Sequence, residues 1–398
     1  MKRFCLSVAG IFLSLFASFA QPAKDSAYKS RKLTFEEANF VASYYNQDGN
    51  NSAVTGGIGT EKLTDYSAAI DVKFVKYDSK LRKHTFDGEF GFDHYTSASS
   101  DKVNPSTISS ASHSDSRLYP SVNWLMENEN KGTGVGAGLS FSSEFDYTSM
   151  GANLLFSKKT GNRNGEFTAK AQAYLDKVKL IYPVELRTGG NGNDQDDNYA
   201  STSRNSFSGS LSYSQIINQR FQVMFIADLV YQTGYLGLPF HRVYFTDNSV
   251  HVEKLPDTRM KIPLGFRANY FIGDKVVLRS FYRYYNDDWG LNAHTVELET
   301  SVKVSPFLSI TPFYRFYKQT AVDYFKPYKT HTAADQYYTS NYDLSDFSSN
   351  FFGAGFRMMP PKGVFGIQRL NMLELRYGHY QKSYSMNANI ISLNLKFK

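Results

Sequence analysis

Apolar and polar positions alternate through four successive runs between Arg259 and Tyr317. In Arg259–Ile272 the even positions Met260, Ile262, Leu264, Phe266, Ala268 and Tyr270 are apolar or aromatic. Arg259, Lys261, Pro263, Gly265, Arg267 and Asn269 stand between them. A period of two places one set on each face of a β-strand. Lys275–Tyr285, His294–Val304 and Phe307–Tyr317 repeat the pattern, and the connections between them include the turn formers Ile272-Gly273-Asp274 and Ser305-Pro306. Each run has about ten residues, longer than the usual soluble strand of about five or six. It suits a tilted strand crossing a bilayer, which needs about 9–11.

The same alternation predicts strands over Glu36–Asn46, Leu63–Tyr77, Phe86–Asp93, Arg117–Met126, Gly134–Phe145, Ser149–Lys158 and Phe167–Leu175. It continues through Phe207–Tyr213, Phe221–Tyr231, Asn350–Met358, Leu370–His379 and Asn389–Phe397. Short turns follow the even-numbered strands. Nearly all the long loops follow odd-numbered ones: Gln47–Glu61, Ser97–Ser116, Val178–Arg204, Thr233–Asp257 and Thr320–Asp346. Loop lengths sorted in this way predict an all-β fold, a transmembrane antiparallel β-barrel of about sixteen strands (fourteen to eighteen). Its short turns would be periplasmic and its long loops extracellular. Closure removes the edge strands and pairs every backbone group that lipid would otherwise leave unsatisfied.

Composition adds to this picture. Thirty-two Phe and 29 Tyr against 2 Trp fit strands and interfacial girdles. The net charge of +7 is spread over alternating positions among Asp and Glu, with no basic block, so a nucleic-acid partner is not expected. Met1–Ala20 has a basic start, an apolar run from Leu6 to Phe19 and small residues at Ser18 and Ala20. It reads as a secretory signal peptide that would carry away Cys5, the single cysteine. The expected organisation is signal peptide 1–20, periplasmic segment 21–35 and barrel 36–398. The last strand presents Ile391, Leu393, Leu395 and Phe397 on one face, with Lys398 following. It resembles the signal read by the barrel-assembly machinery, which with outer-membrane lipid is the expected partner.

Several segments resemble one family. Tyr44-Tyr45-Asn46-Gln47-Asp48-Gly49, continuing to Gly57, is similar to the opening signature of domain of unknown function 3570. So are Phe240-His241-Arg242-Val243-Tyr244-Phe245, Leu255-Pro256-Asp257-Thr258-Arg259, Arg283 to Gly290, and Tyr337-Tyr338-Thr339-Ser340. The resemblance covers almost the whole chain after the leader. It implies an outer-membrane β-barrel of a Gram-negative bacterium, mostly of the Bacteroidetes type, and supplies no biochemical activity. It also implies a place beside periplasmic flavin-transfer and thioredoxin-like proteins, in envelope redox traffic, and hence periplasmic protein partners.

Candidate chemistry is sparse. Arg267, Arg279 and Arg283 fall on the non-lipid faces of two neighbouring strands, and Glu297 and Glu299 on that of the next. A lumen ion-pair network is the expectation for this cluster, and a charged constriction that selects permeant ions is the alternative. Asp194, Asp196 and Asp197 sit in a Gly/Asn-rich loop without the closing Glu of a calcium loop, so a solvated loop is expected. His241, His251, His294, His331 and His379 are scattered and show no zinc spacing. No metal or cofactor is expected. No Gly-x-Ser-x-Gly elbow accompanies the serines and histidines, which speaks against a hydrolase. Trp289, in the external turn Asp287-Asp288-Trp289-Gly290, is expected to anchor at the membrane interface, and plugging the mouth is the alternative. Passage of small solutes or a partner segment is the leading function. A closed scaffold barrel is the alternative, and an outer-membrane enzyme stands third.

Overall fold

The computed structural model describes residues 32–96, 114–187 and 199–398. The strands in chain order are β1 (Thr34–Gly49), β2 (Leu63–Tyr77), β3 (Lys83–Thr96), β4 (Ser114–Asn128), β5 (Thr133–Ser143) and β6 (Tyr147–Lys159). β7 (Gly165–Lys179), β8 (Ser201–Asn218), β9 (Phe221–Gly234), β10 (Arg242–Tyr244), β11 (Val250–Val252) and β12 (Thr258–Ile272) follow. The chain ends with β13 (Val276–Asp287), β14 (Asn292–Ser305), β15 (Leu308–Gln319), β16 (Phe347–Met358), β17 (Leu370–Lys382) and β18 (Met386–Phe397). All but β10 and β11 form one closed barrel of sixteen antiparallel strands, in which β1 pairs with β18 and β9 with β12. The pair β10–β11 is a separate small hairpin.

Alternation decides the faces. Large apolar residues turn outward and remain exposed, among them Leu139 at 69%, Leu154 at 66% and Val122 at 62%. Exposure of that extent over most barrel strands is tolerable only against lipid, since each such side chain gains about 1.5–3 kcal/mol on leaving water. Some outward polar groups near the strand ends are partnered locally: Trp124 donates to His84 (3.1 Å), and His294 bonds Tyr282 (2.8 Å). His379 bonds Asn389 (3.0 Å).

Between barrel strands, one end carries the connections 78–82, 129–132, 160–164, 219–220, 273–275, 306–307 and 359–369, and we call it the turn end. The loop end carries 50–62, 180–200, 235–257 and 320–346, together with the tight links 144–146, 288–291 and 383–385. Sorting by length is therefore real but incomplete. Three loop-end links are short, and 359–369 is the longest at the turn end.

Candidate functional site

The lumen is lined by the other half of the alternation. Register brings Arg279 opposite Glu299 across β13–β14, while Arg283 faces Thr295 and Glu297 faces Phe281. Arg279 Nη1 lies 2.6 Å from Glu299 Oε1 and donates to Ser301 Oγ. Glu299 also takes Arg376 of β17 at 2.9 Å, and Arg376 continues to Glu374, which holds Arg357. Glu297 pairs with Arg315 of β15 at 2.7 Å. Three of the five predicted residues thus belong to ion pairs running from β13 to β17. Arg267 and Arg283 differ. Both are exposed within the lumen, and no carboxylate pairs with either among the described residues. The Arg267 guanidinium lies over the Phe281 ring at 5.2 Å.

The wall opposite has the other sign. β2 and β3 turn Asp65, Asp71, Asp87, Glu89 and Asp93 inward, with Asp71 facing Glu89 and Lys73 facing Asp87 in register. Lys73 is drawn aside to Glu37 of β1 at 3.0 Å. Glu89 is exposed in the lumen. In the ring, β3 and β13 are separated by seven strands in either direction, as are β2 and β12. The two walls therefore face each other across the lumen. Between them the inner faces of β5 and β6 carry Gly134, Gly136, Gly138, Gly151 and Asn153, small or uncharged residues.

At the loop end, connections from opposite walls meet. Arg242 in the 235–257 connection donates to the Val54 carbonyl in the 50–62 connection (2.9 Å), and its guanidinium also binds Glu185. A Cβ on Gly56, at φ +82°, would stand 2.6 Å from the Tyr244 ring, so glycine is needed for both the backbone and the contact. Because 50–62 leaves β1 and 235–257 leaves β9, these contacts span the mouth. The 320–346 connection completes the cap. His331, Phe245, His251 and Tyr338 form an aromatic cluster, with Phe245–His251 centroids 4.4 Å apart.

Inside the cap, Glu253 is buried. It lies 2.9 Å from His241 Nδ1 and accepts from Thr339 Oγ1 and the Leu238 amide. Burial pushes its carboxyl up. His241 and the two donors outweigh that, and the net shift is downward. His241 is fully buried, and among the described residues its Nε2 has no hydrogen-bond partner. Glu61, also near the mouth, is pushed up to about 7 by burial, with Asp343 adding to it.

Two sequence expectations change here. His241, His251 and His331 are not scattered but share the cap. Trp289 is not an interfacial anchor. It is 2% exposed, packs with Leu291, Ala293 and Val322, stacks on Arg259 at 4.2 Å and donates to the Thr258 carbonyl. The Asp287 carboxylate accepts from the amides of Trp289 and Leu291 and so turns the link inward. The β10–β11 hairpin within the cap is not marked in the sequence, because its strands have three residues each and their alternation is too short to register. Asp194, Asp196 and Asp197 lie outside the described residues.

Two Ser–His pairs form, His94–Ser116 (2.8 Å) and Ser249–His251 (2.9 Å), but no carboxylate pairs with either histidine among the described residues. Asp115, Glu144 and Asp146 converge near the loop end, and Glu144 is engaged by Tyr95 and Arg117.

Comparison with known proteins gives distant structural likenesses. A bacterial polysaccharide outer membrane secretin is 10% identical, with TM-score 0.44, covering 91% of this chain and 98% of its own. A BenF-like porin from Pseudomonas fluorescens Pf-5 is 8% identical, with TM-score 0.42 and coverage of 91% and 98%. Pseudomonas aeruginosa OccD3 (OpdP) is 10% identical, with TM-score 0.43 and coverage of 96% of each chain. No curated protein matches the chain. The family model described as "Protein of unknown function (DUF3570)" matches residues 78–389, well over half the sequence, and the chain belongs to that family.

Proposed function

We propose that the protein is an outer-membrane barrel that passes small solutes through a hydrated, charge-lined lumen beneath a loop cap. The observation that carries this reading is the exposure of Arg267, Arg283 and Glu89 on the inner wall. Unpaired charge needs water, because an ion stripped of both water and counter-ion costs several kcal/mol. A barrel of this strand number has room for an aqueous channel. The apolar belt and the secretory leader support an outer-membrane location, and the C-terminal strand supports delivery by the barrel-assembly machinery. A place in periplasmic redox traffic rests on the family resemblance alone.

Single-channel recording in a planar bilayer tests the passage. The chain is compared with Arg279→Ala, Arg283→Ala and a variant whose 242–252 hairpin is replaced by a short Gly/Ser turn. Stable open steps, with cation preference rising in Arg283→Ala, are the expected result. Inserted protein that stays silent with both the native cap and the shortened hairpin would remove the passage and bring forward a closed scaffold, which the bridged mouth otherwise favours.

A further inference from the structure

The two inner walls do more than carry charge. They separate it. On β2–β3 the mid-strand charged residues are Asp71, Asp87 and Glu89 with Lys73, which Glu37 of β1 pairs, and on β12–β13 they are Arg267, Arg279 and Arg283. Both sets lie midway along their strands, seven strands apart around the ring in either direction. Below Asp287, the inner face of β12–β13 carries no carboxylate. Glu299, which could neutralise it, is shared between Arg279 and Arg376. These two facing walls therefore set charge of opposite sign across the passage.

We infer that the middle of the lumen binds and orients small zwitterionic solutes, with their anionic group toward Arg267 and Arg283 and their cationic group toward Asp87 and Glu89. This rests on the passage reading above. A simple cation or anion gains at one wall only and loses at the other. An uncharged solute gains at neither. A solute carrying both signs gains at both once it turns, and low-dielectric walls concentrate that field. Because the gap is water-filled, the effect is strongest at low salt and shrinks as the Debye length falls to about 8 Å at physiological ionic strength.

The test is uptake into proteoliposomes holding the full chain, comparing the zwitterion β-alanine with the uncharged polyol erythritol at low salt. The native chain is expected to favour β-alanine. Glu89→Gln with Asp87→Asn, or Arg267→Gln with Arg283→Gln, should each reduce that preference about tenfold, the low end of the enrichment a charged cleft gives. Erythritol uptake should stay near the native level. Arg267→Lys with Arg283→Lys keeps the charge and should keep the preference. Glu89 and Arg283 are both exposed, so Glu89→Gln and Arg283→Gln alone serve if a double variant does not fold. Uptake of both solutes at an unchanged ratio in the neutralised variants overturns the inference and leaves the passage standing. Inserted protein that admits neither solute, with the native or the shortened cap, overturns both.

Discussion

Glu253 is the residue on which the cap turns. It reaches His241 and Leu238 in its own connection and Thr339 in another. Glu253→Gln leaves His241 without its carboxylate, and breaking a buried pair in this way costs about 3–5 kcal/mol. Protease should then cleave within 235–257 faster, while the barrel keeps its compact, heat-modifiable migration on gels. Unchanged cleavage would show that the cap does not depend on this pair. The pH response has two arms. Glu253 is held below its ordinary value of 4.5, so its contribution is present above that value and is lost as pH falls through the folded value. Glu61 is held above it, so its contribution is full below 4.5 and is lost as pH rises to about 7. Protection of the cap amides, relative to their intrinsic exchange at each pH, should thus fall at both extremes, and Glu61→Gln should flatten the upper arm only. The pairing of Glu253 with His241 and Thr339 was not legible in the sequence, because the alternation around them, such as Val250-His251-Val252-Glu253, is too short to fix a face or a partner.

Among the elements, the barrel strands were legible and the cap was not, for one reason. A strand between lipid and water must alternate over ten or more residues, and that leaves a signal which the β13–β14 pair shows plainly. The cap is held by contacts between connections far apart in the chain, such as Arg242 to Val54 and Phe245 to His331, which leave no periodic signal. Register adds a feature that alternation conceals. Tyr119 of β4 lies over Gly91 of β3, where a Cβ would come within 1.9 Å of the ring. Gly91→Val should push the ring into the lumen and cost about 1–3 kcal/mol, as overpacking does. Its urea midpoint, read by gel mobility, should fall accordingly, and a native midpoint would show that the wall yields freely.

For the whole molecule, the cluster predicted from sequence proved to be one side of a larger arrangement. Alternation identified which charges face inward, and pairing across β13–β14 was readable from the turn between them. That β3 stands opposite β13 follows only from the closed ring. The cap likewise acts at this scale, since it ties opposite walls. Shortening the 242–252 hairpin should raise single-channel conductance without changing the sign of ion selectivity, because the mid-lumen walls are untouched. A change of sign would place the selecting charges in the cap.

The seam between β1 and β18 sets a limit in time. Its register runs from Ala38 beside Phe397 to Gly49 beside Met386, so the earliest strand waits for the latest. Pairings of such sequence separation form slowly, after the entropy of closing the whole intervening chain has been met. No ribosome-bound fragment lacking Met386–Phe397 can complete the ring. Until that strand is in place, the lipid-facing side chains of the other strands have no closed belt to belong to.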